Sequence, residues 1–379
     1  MSKDKNLSIL VTGANGFIGK NLCIRLNEYK EFNLIKFIRG DSLDQLEKSI
    51  IDADVIFHIA GENRPKTVDM FKTVNIDLTK SICDVLLKRS LKIPIIFTSS
   101  SQVKDDNEYG KSKKGAEKIL INLNKKNGNP VHIYRLPGVF GKWCLPNYNS
   151  VVATFCNNIA NDLPIKIDDQ KKEIRLVYID DVIDSFINKL KIAVSDLYFE
   201  KIDIEYKITL GELAKQIEAF RDSRTSLITE DVGNNLQRAL YSTYLSYLKP
   251  ESFSYDIESH EDNRGIFVEM LKTKNSGQFS FFTAHPGITR GGHYHHTKSE
   301  KFLVVSGKAK FSFRNIISNE TFTIKTSGEI PKIVETIPGW SHDIKNIGDN
   351  EMIVLLWANE QFNKDLPDTI ACEVINEKT

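Results

Sequence analysis

The chain lacks the features that would tie it to nucleic acid, a membrane or an oxidising compartment. Its 51 Lys+Arg nearly cancel its 50 Asp+Glu, leaving a net charge of +1, so any anion binding must be local rather than driven by an overall field. No apolar run approaches the roughly 18 residues that span a bilayer. Lys3 and Lys5 lead directly into an apolar strand-like run, without a signal-peptide core or cleavage site. The five cysteines (Cys23, Cys83, Cys144, Cys156, Cys372) are odd in number, scattered, and free of any Cys-x-x-Cys pair. They read as reduced packing residues in a cytoplasmic protein. Internal repeats and low-complexity segments are also absent. What remains is 379 residues, a length that suits two domains, each able to bury a core.

The front of the chain alternates strands with helices. Apolar runs at 7–12, 34–38, 55–59, 93–98 and 131–134 are separated by helically spaced stretches at 17–29, 70–87 and 111–123. This alternation predicts a parallel sheet covered on both faces, with its chemistry at the carboxyl ends of the strands.

Gly13-Ala14-Asn15-Gly16-Phe17-Ile18-Gly19 lies between the first strand and the first helix. Glycines there let the backbone approach a pyrophosphate, whose charge meets the amides at the helix start. The second strand ends at Ile38-Arg39-Gly40, with no acidic residue to bind a ribose hydroxyl. Arg39 is placed to pair with a 2′-phosphate, favouring NADPH over NADH. His58-Ile59-Ala60-Gly61 follows the third strand. The small residues, Ala60 first, leave room for the adenosine side of a cofactor, and His58 reads as a packed strand residue.

Thr98-Ser99-Ser100-Ser101 ends the fourth strand, and Tyr109-Gly110-Lys111-Ser112-Lys113 opens the next helix. Tyr109 and Lys113, four apart, share one helical face. A phenol titrates near 10 unperturbed, and a neighbouring ammonium is expected to lower that value. A serine hydroxyl beside them can hold a carbonyl while a nicotinamide delivers hydride.

These residues resemble the extended short-chain dehydrogenase/reductase family, specifically members acting on nucleotide sugars, over about the first 245 residues. The resemblance implies a Rossmann-type doubly wound parallel sheet and makes Ser100, Tyr109 and Lys113 the catalytic trio. It makes Gly13, Asn15, Gly16, Phe17, Ile18, Gly19, Arg39, Ala60, Tyr109 and Lys113 cofactor contacts. Arg135-Leu136-Pro137-Gly138-Val139-Phe140-Gly141 resembles the family's substrate loop. Arg175-Leu176-Val177-Tyr178-Ile179-Asp180-Asp181 resembles a later motif whose arginine meets the substrate diphosphate. Two departures matter. Only eight residues separate Ser100 from Tyr109, which predicts a cleft more open on that side. The Thr-Asp-Glu of the 4,6-dehydratase members is missing, so ketone reduction or 4-epimerisation is favoured over dehydration.

After a linker near Leu248-Lys249-Pro250-Glu251 the composition changes. Short strand-like runs at 266–271, 278–284, 301–305, 308–313, 321–325, 333–336 and 352–357, punctuated by Gly, Pro and Asn, predict a small antiparallel barrel. The division expected is 1–247 for the reductase domain and 252–379 for the barrel. Gly287, His293, His295, Glu300 and Gly307 keep the spacing of the first cupin motif. Pro338-Gly339-Trp340-Ser341-His342 with Asn346 resembles the second, though Ile337 stands where proline is usual. The resemblance implies a divalent metal, zinc being the expected ion, on His293, His295, Glu300 and His342. His296 and His285 match no ligand position.

A second resemblance passes through the same residues. Asp262-Asn263-Arg264-Gly265-Ile266-Phe267 and Arg290-Gly291-Gly292-His293-Tyr294 are similar to the deoxysugar-ketone epimerases of the cupin class, in which the arginines hold the diphosphate and the histidine removes a proton. That makes Arg264 and Arg290 substrate contacts. His293 cannot be a free base while coordinated, and with His295, Glu300 and His342 all present the ligand role is preferred.

Over essentially the whole chain the halves together resemble reductase–cupin fusions of capsular polysaccharide assembly. The resemblance implies a UDP-activated 4-keto-6-deoxy sugar, inverted at C3 by the cupin and reduced at C4 with NADPH. The route would lead to UDP-N-acetyl-L-fucosamine, and a homodimer is the expected assembly. A dTDP-rhamnose-type epimerase–reductase fusion is an alternative reading, as is a reductase with a sugar-sensing cupin. A non-enzymatic NADP(H)-binding regulator is disfavoured by the trio.

Overall fold

Runs of four or more consecutive buried residues, at 9–12, 55–58 and 95–100, set the first sheet. Strands buried on both faces need helices on both faces, which is the parallel arrangement. In the computed structural model, residues 6–190, 196–365 and 367–374 are described; Lys3 and Lys5 lie outside them. The chain divides into two units, Met1–Ile217 with Arg238–Leu248, and Glu218–Gln237 with Lys249–Thr379.

In the first unit the strands are β1 (Leu7–Thr12), β2 (Phe32–Phe37), β3 (Val55–His58), β4 (Ile95–Ser100), β5 (Val131–Leu136), β6 (Gly138–Phe140), β7 (Glu173–Tyr178), β8 (Leu197–Glu200) and β9 (Tyr206–Thr209). Six form a parallel sheet in the order β2-β1-β3-β4-β5-β8. The order reverses direction at β1, so a crevice opens at the carboxyl ends of β1 and its neighbours. Leu10, Ile56, Ile95, Phe97 and Ile133 pack against Leu46, Ile82, Leu86, Ala116 and Leu120 from the helices. The helical stretch expected over 70–87 carries a π-helical segment, Lys72–Asp77, before regular helix resumes at Leu78. Strands β6, β7 and β9 form a separate small sheet.

In the second unit the strands are β10 (Ile228–Thr229), β11 (Ser259–Asp262), β12 (Gly265–Thr273), β13 (Gln278–Ala284), β14 (Thr289–Tyr294), β15 (Glu300–Ser306), β16 (Lys308–Asn315), β17 (Thr321–Ser327), β18 (Ile333–Glu335), β19 (Trp340–Asn346), β20 (Met352–Ala358) and β21 (Ile370–Ala371). One sheet runs β10-β12-β13-β20-β15-β18 with β11 on β12; the other runs β17-β16-β19-β14-β21. All pairings but β10 with β12 are antiparallel. Phe282, Phe302 and Val354 from one sheet meet Phe311, Phe313 and Ile344 from the other in a shared core. Among the described residues no helix is long and apolar enough to cross a membrane.

Candidate active site and candidate metal centre

The turn after β1 is built by close approach. A Cβ on Gly19 would lie 2.1 Å from the Gly13 carbonyl oxygen, and one on Gly13, whose φ is +70°, would lie 2.7 Å from Ala60 Cα. Glycine at both positions therefore brings the loop onto the Ala60 backbone and onto the start of helix Phe17–Leu26. That helix has Gly16 at its N-cap, no side-chain cap and no acidic residue in its first turn. Its first amides, those of Phe17 and Ile18 included, remain available to an anion, and Asn15 and Gly16 are exposed beside them.

Ser100 ends β4, and Tyr109 and Lys113 sit in the first turns of helix Glu108–Asn127. Asn107 caps that helix, its Oδ1 accepting from Gly110 N at 2.7 Å, a bond whose loss costs about 1 kcal/mol in comparable caps. The short connection from Ser100 is taken up by a 3-10 turn, Ser101–Lys104. Gly110 permits the helix to press against it, since a Cβ there would lie 2.1 Å from the Gln102 carbonyl oxygen. Ser100 and Tyr109 thereby share a side-chain hydrogen bond. Lys113 is buried, donates to the Thr98 carbonyl at 2.8 Å, and lies 5.0 Å from the Phe97 ring centre. Burial lowers its pKa to about 8, with Glu117 opposing.

The phenol departs from expectation. Burial raises the Tyr109 pKa and the bond to Ser100 offsets only part of that rise. Removal from water outweighs the hydrogen bond from Ser100, and the Lys113 charge is not among the causes that lower the phenol.

His58 is fully buried between Thr12 Oγ1 and Thr79 Oγ1, each at 2.8 Å. Burial lowers its pKa to about 3, so it is a neutral packed residue. Arg39 donates to Glu62 Oε2 at 2.8 Å, a partner from beyond β3 that its own surroundings in the sequence do not suggest. Arg175 is exposed on β7 and pairs with Glu205. Glu117 is buried, accepts from Ser99 at 2.6 Å and takes a two-pronged bond from Arg135 at 2.9 and 2.6 Å. Spacing gave no warning of that network.

In the second unit, one ligand atom from each of His293, His295, Glu300 and His342 lies within 4.8 Å of the others. His293 and His342 face each other across the β14–β19 pair, next to a register shift at Gly291. His295 follows just beyond β14, and Glu300 is the first residue of β15, in the facing sheet rather than on a neighbouring strand. His295 Nδ1 donates to the Asp368 carbonyl, which turns Nε2 toward Glu300 Oε2 at 3.2 Å. His342 Nε2 lies 3.4 Å from the same oxygen, buried and without a hydrogen bond among the described residues.

A neutral His295 with its proton on Nδ1 would set a lone pair against the carboxylate. Either the ring carries a second proton or a cation stands in its place. The donor set of three imidazoles and one carboxylate fits a divalent transition ion. Burial would raise Glu300, but His295, His342 and the Lys298 ammonium prevail and hold it well below the usual carboxylate range. Burial, reinforced by His342, lowers His293 to about 4. Both groups are therefore unprotonated at neutral pH, as ligands must be.

Asp368 and Lys298 were not anticipated. The Asp368 carboxylate accepts from the backbone amides of His296, Thr297 and Lys298 at 2.7 to 2.8 Å. Lys298, buried, donates to Thr369 Oγ1 at 3.0 Å and stands 3.8 Å from Glu300. Arg264 pairs with Asp262 at 2.6 Å. Arg290 lies 5.2 Å from the Phe282 ring centre with a buried Nε that has no hydrogen-bond partner among the described residues. Its pKa is lowered by burial first and the Arg264 charge second.

Residues 9–192 match the model of the NAD dependent epimerase/dehydratase family, and residues 260–370 that of the polysaccharide biosynthesis C-terminal domain. The chain is 53% identical over 368 residues to a UDP-2-acetamido-2,6-beta-L-arabino-hexul-4-ose reductase of Pseudomonas aeruginosa, covering 97% of this chain and 99% of that protein. It is similar to the crystal structure of the capsular polysaccharide assembling protein CapF from Staphylococcus aureus, with 39% identity, a TM-score of 0.89, and coverage of 97% and 100% of the two chains. A UDP-glucuronic acid 4-epimerase of Bacillus cereus in complex with NAD shares the fold of the front part, with 18% identity, a TM-score of 0.53, and coverage of 64% of this chain and 98% of that one.

Proposed function

We infer the reaction of this chain from the family to which it belongs, that of the UDP-2-acetamido-2,6-beta-L-arabino-hexul-4-ose reductase, matched over 97% of this chain. The chain is a nucleotide-sugar oxidoreductase with a second, isomerase activity in its barrel. The first unit reduces the C4 ketone of a UDP-2-acetamido-2,6-dideoxy-4-hexulose with NADPH, and the barrel inverts C3 of the same sugar. The product lies on the route to UDP-N-acetyl-L-fucosamine for capsule or O-antigen polysaccharide.

The observation that carries the reductase reading is the grouping of Ser100, Tyr109 and Lys113 at the carboxyl end of β4, one strand from the Gly13–Ala60 contact. A reduced nicotinamide held there supplies the hydride. Ser100 holds the C4 oxygen in line with the phenol. Tyr109, raised by burial, keeps its proton at neutral pH and passes it to that oxygen as the carbonyl becomes an alcohol. Lys113 keeps a positive charge beside the resulting phenolate until water restores the proton. Gly13, Asn15, Gly16, Phe17, Ile18, Gly19 and Ala60 line the dinucleotide, Arg39 meets its 2′-phosphate, and Arg175 meets the sugar diphosphate.

In the barrel, His293, His295, Glu300 and His342 would hold a divalent ion, which we take to be zinc, and such an ion would supply Lewis acidity there. Arg264 and Arg290 take the diphosphate. Their mutual repulsion and the unpartnered Arg290 Nε are features that an anion between them would relieve. A C3 proton is removable only while C4 is a ketone, so inversion precedes reduction. We place the enzyme in a reducing, cytoplasmic compartment, because Cys23, Cys83, Cys144 and Cys156 are buried free thiols, and we expect a homodimer.

The test is the 4-ketosugar nucleotide in heavy water, with and without NADPH. Without NADPH, deuterium enters C3; with it, NADPH is consumed and C4 carries a hydroxyl. Failure of both labelling and reduction would refute the reading.

A further inference from the structure

We propose that Glu62 is a positioning residue that makes Arg39 selective for the cofactor's 2′-phosphate. The proposal rests on the assignment of Arg39 to that phosphate. Arg39 follows β2 and Glu62 follows β3, and in the sheet β1 lies between those two strands. The Arg39–Glu62 ion pair therefore bridges over the end of β1, beside the glycine loop where a dinucleotide crosses.

The two partners are unlike. The Arg39 side chain is 77% exposed, whereas that of Glu62 is 7% exposed. Glu62 is fixed from several directions. Its Oε1 accepts from the Tyr148 phenol at 2.7 Å and from the amides of Asn63 and Arg64 at 3.2 and 3.3 Å. Its own amide donates to Asn75 Oδ1 at 2.8 Å, and Asn75 Nδ2 returns a bond to the Glu62 carbonyl at 2.9 Å. So held, the carboxylate does not follow the arginine; the arginine follows it.

Among the described residues only one terminal nitrogen of Arg39 is engaged, by Glu62. The other guanidinium donors stay free for a phosphate, on a side chain whose rotamer freedom is already reduced. An untethered exposed arginine would bear that ordering cost on binding. Glu62 thus brings a carboxylate from beyond β3 to the end of β2 and acts on the phosphate through Arg39. The same carboxylate also anchors Tyr148, in the segment after β6, so the phosphate end of the cofactor and that segment share one fixed point.

Glu62→Gln tests this. The amide keeps the shape and an oxygen for Tyr148, Asn63 and Arg64, but turns an NH2 toward Arg39. NADPH and NADH dissociation constants are measured by fluorescence titration for the wild type, Glu62→Gln, Arg39→Ala and the double variant. The expected result is a roughly tenfold weaker NADPH affinity in Glu62→Gln, an NADH affinity within about twofold of wild type, and no further loss when Glu62→Gln is added to Arg39→Ala. Equal weakening of both cofactors would reveal a general structural role and overturn the proposal. Selective weakening of NADH would mean that Glu62 holds a ribose hydroxyl, and would also overturn it. If Arg39→Ala leaves the NADPH preference intact, the assignment of Arg39 fails, which is distinguishable from failure at Glu62 alone.

Discussion

Lys113 Nζ donates to the Thr98 carbonyl at 2.8 Å, tying the helix that carries Tyr109 to the strand that ends in Ser100. The ammonium that completes the trio is thus also a clamp between its two elements. Its pKa is lowered to about 8, burial outweighing the attraction of Glu117.

A lowered lysine loses its charge earlier on the alkaline side. The kcat/KM of C4 reduction should be level below pH ~8 and fall up to about tenfold per unit above it. Lys113→Arg should push the break upward, since guanidinium stays charged. A wild-type profile level to pH ~10 would show that the charge is not required.

Gly110→Ala sets helix propensity against packing. Alanine favours a helix over glycine by about 1 kcal/mol, yet its Cβ would lie 2.1 Å from the Gln102 carbonyl oxygen, a backbone atom. The clash should win, destabilising the first unit by about 1–3 kcal/mol and slowing reduction while C3 exchange continues. Thermal unfolding with paired assays of reduction and deuterium uptake checks it; a stabilised, fully active variant would contradict the close approach.

Metal content follows from the ligand set. Purified protein should hold about one divalent ion per chain by elemental analysis, and His342→Ala should hold far less, because a buried ligand nitrogen is lost without a replacement. Chelation should abolish C3 exchange while leaving NADPH binding intact. Full exchange activity after chelation would make the four residues a polar lining only.

The sequence made the parallel sheet legible because β1, β3 and β4 each hold three successive apolar residues, at 9–11, 55–57 and 95–97, and the barrel legible because β20 is apolar throughout and β16 alternates Ala309, Phe311 and Phe313 with polar residues. It left β14 off the apolar strand-like runs, because Thr289-Arg290-Gly291-Gly292-His293-Tyr294 has two glycines and no apolar alternation, and the His293-x-His295 alternation gave its position instead. Hydrogen bonds to β19 and β21, not apolar patterning, hold it in place. The four clustered residues of the barrel were readable because three lie within eight positions of one another, from His293 to Glu300. Glu62 beside Arg39 and Asp368 beside His295 were not, since each pairing joins segments that only the folded sheet or barrel brings together.

Asp368 supplies the last prediction. Its carbonyl accepts from His295 Nδ1 and its carboxylate accepts from three successive amides, His296 to Lys298, with Thr297 Oγ1 adding a bond at 3.0 Å. Burial would raise this carboxyl, but the amide donors dominate and hold it well below the usual range, so it stays ionised across neutral pH. The turn between His295 and Glu300 is therefore set from the far end of the chain. Asp368→Ala keeps the carbonyl that orients His295 but frees the turn that spaces it from Glu300. The expected result is a 10–100-fold weaker metal affinity, read by competition with a chromogenic chelator, and C3 exchange that recovers when excess ion is added. Asp368→Asn, which retains one acceptor oxygen, should fall between Ala and wild type. Unchanged affinity in Asp368→Ala would mean that the strands alone space the ligands.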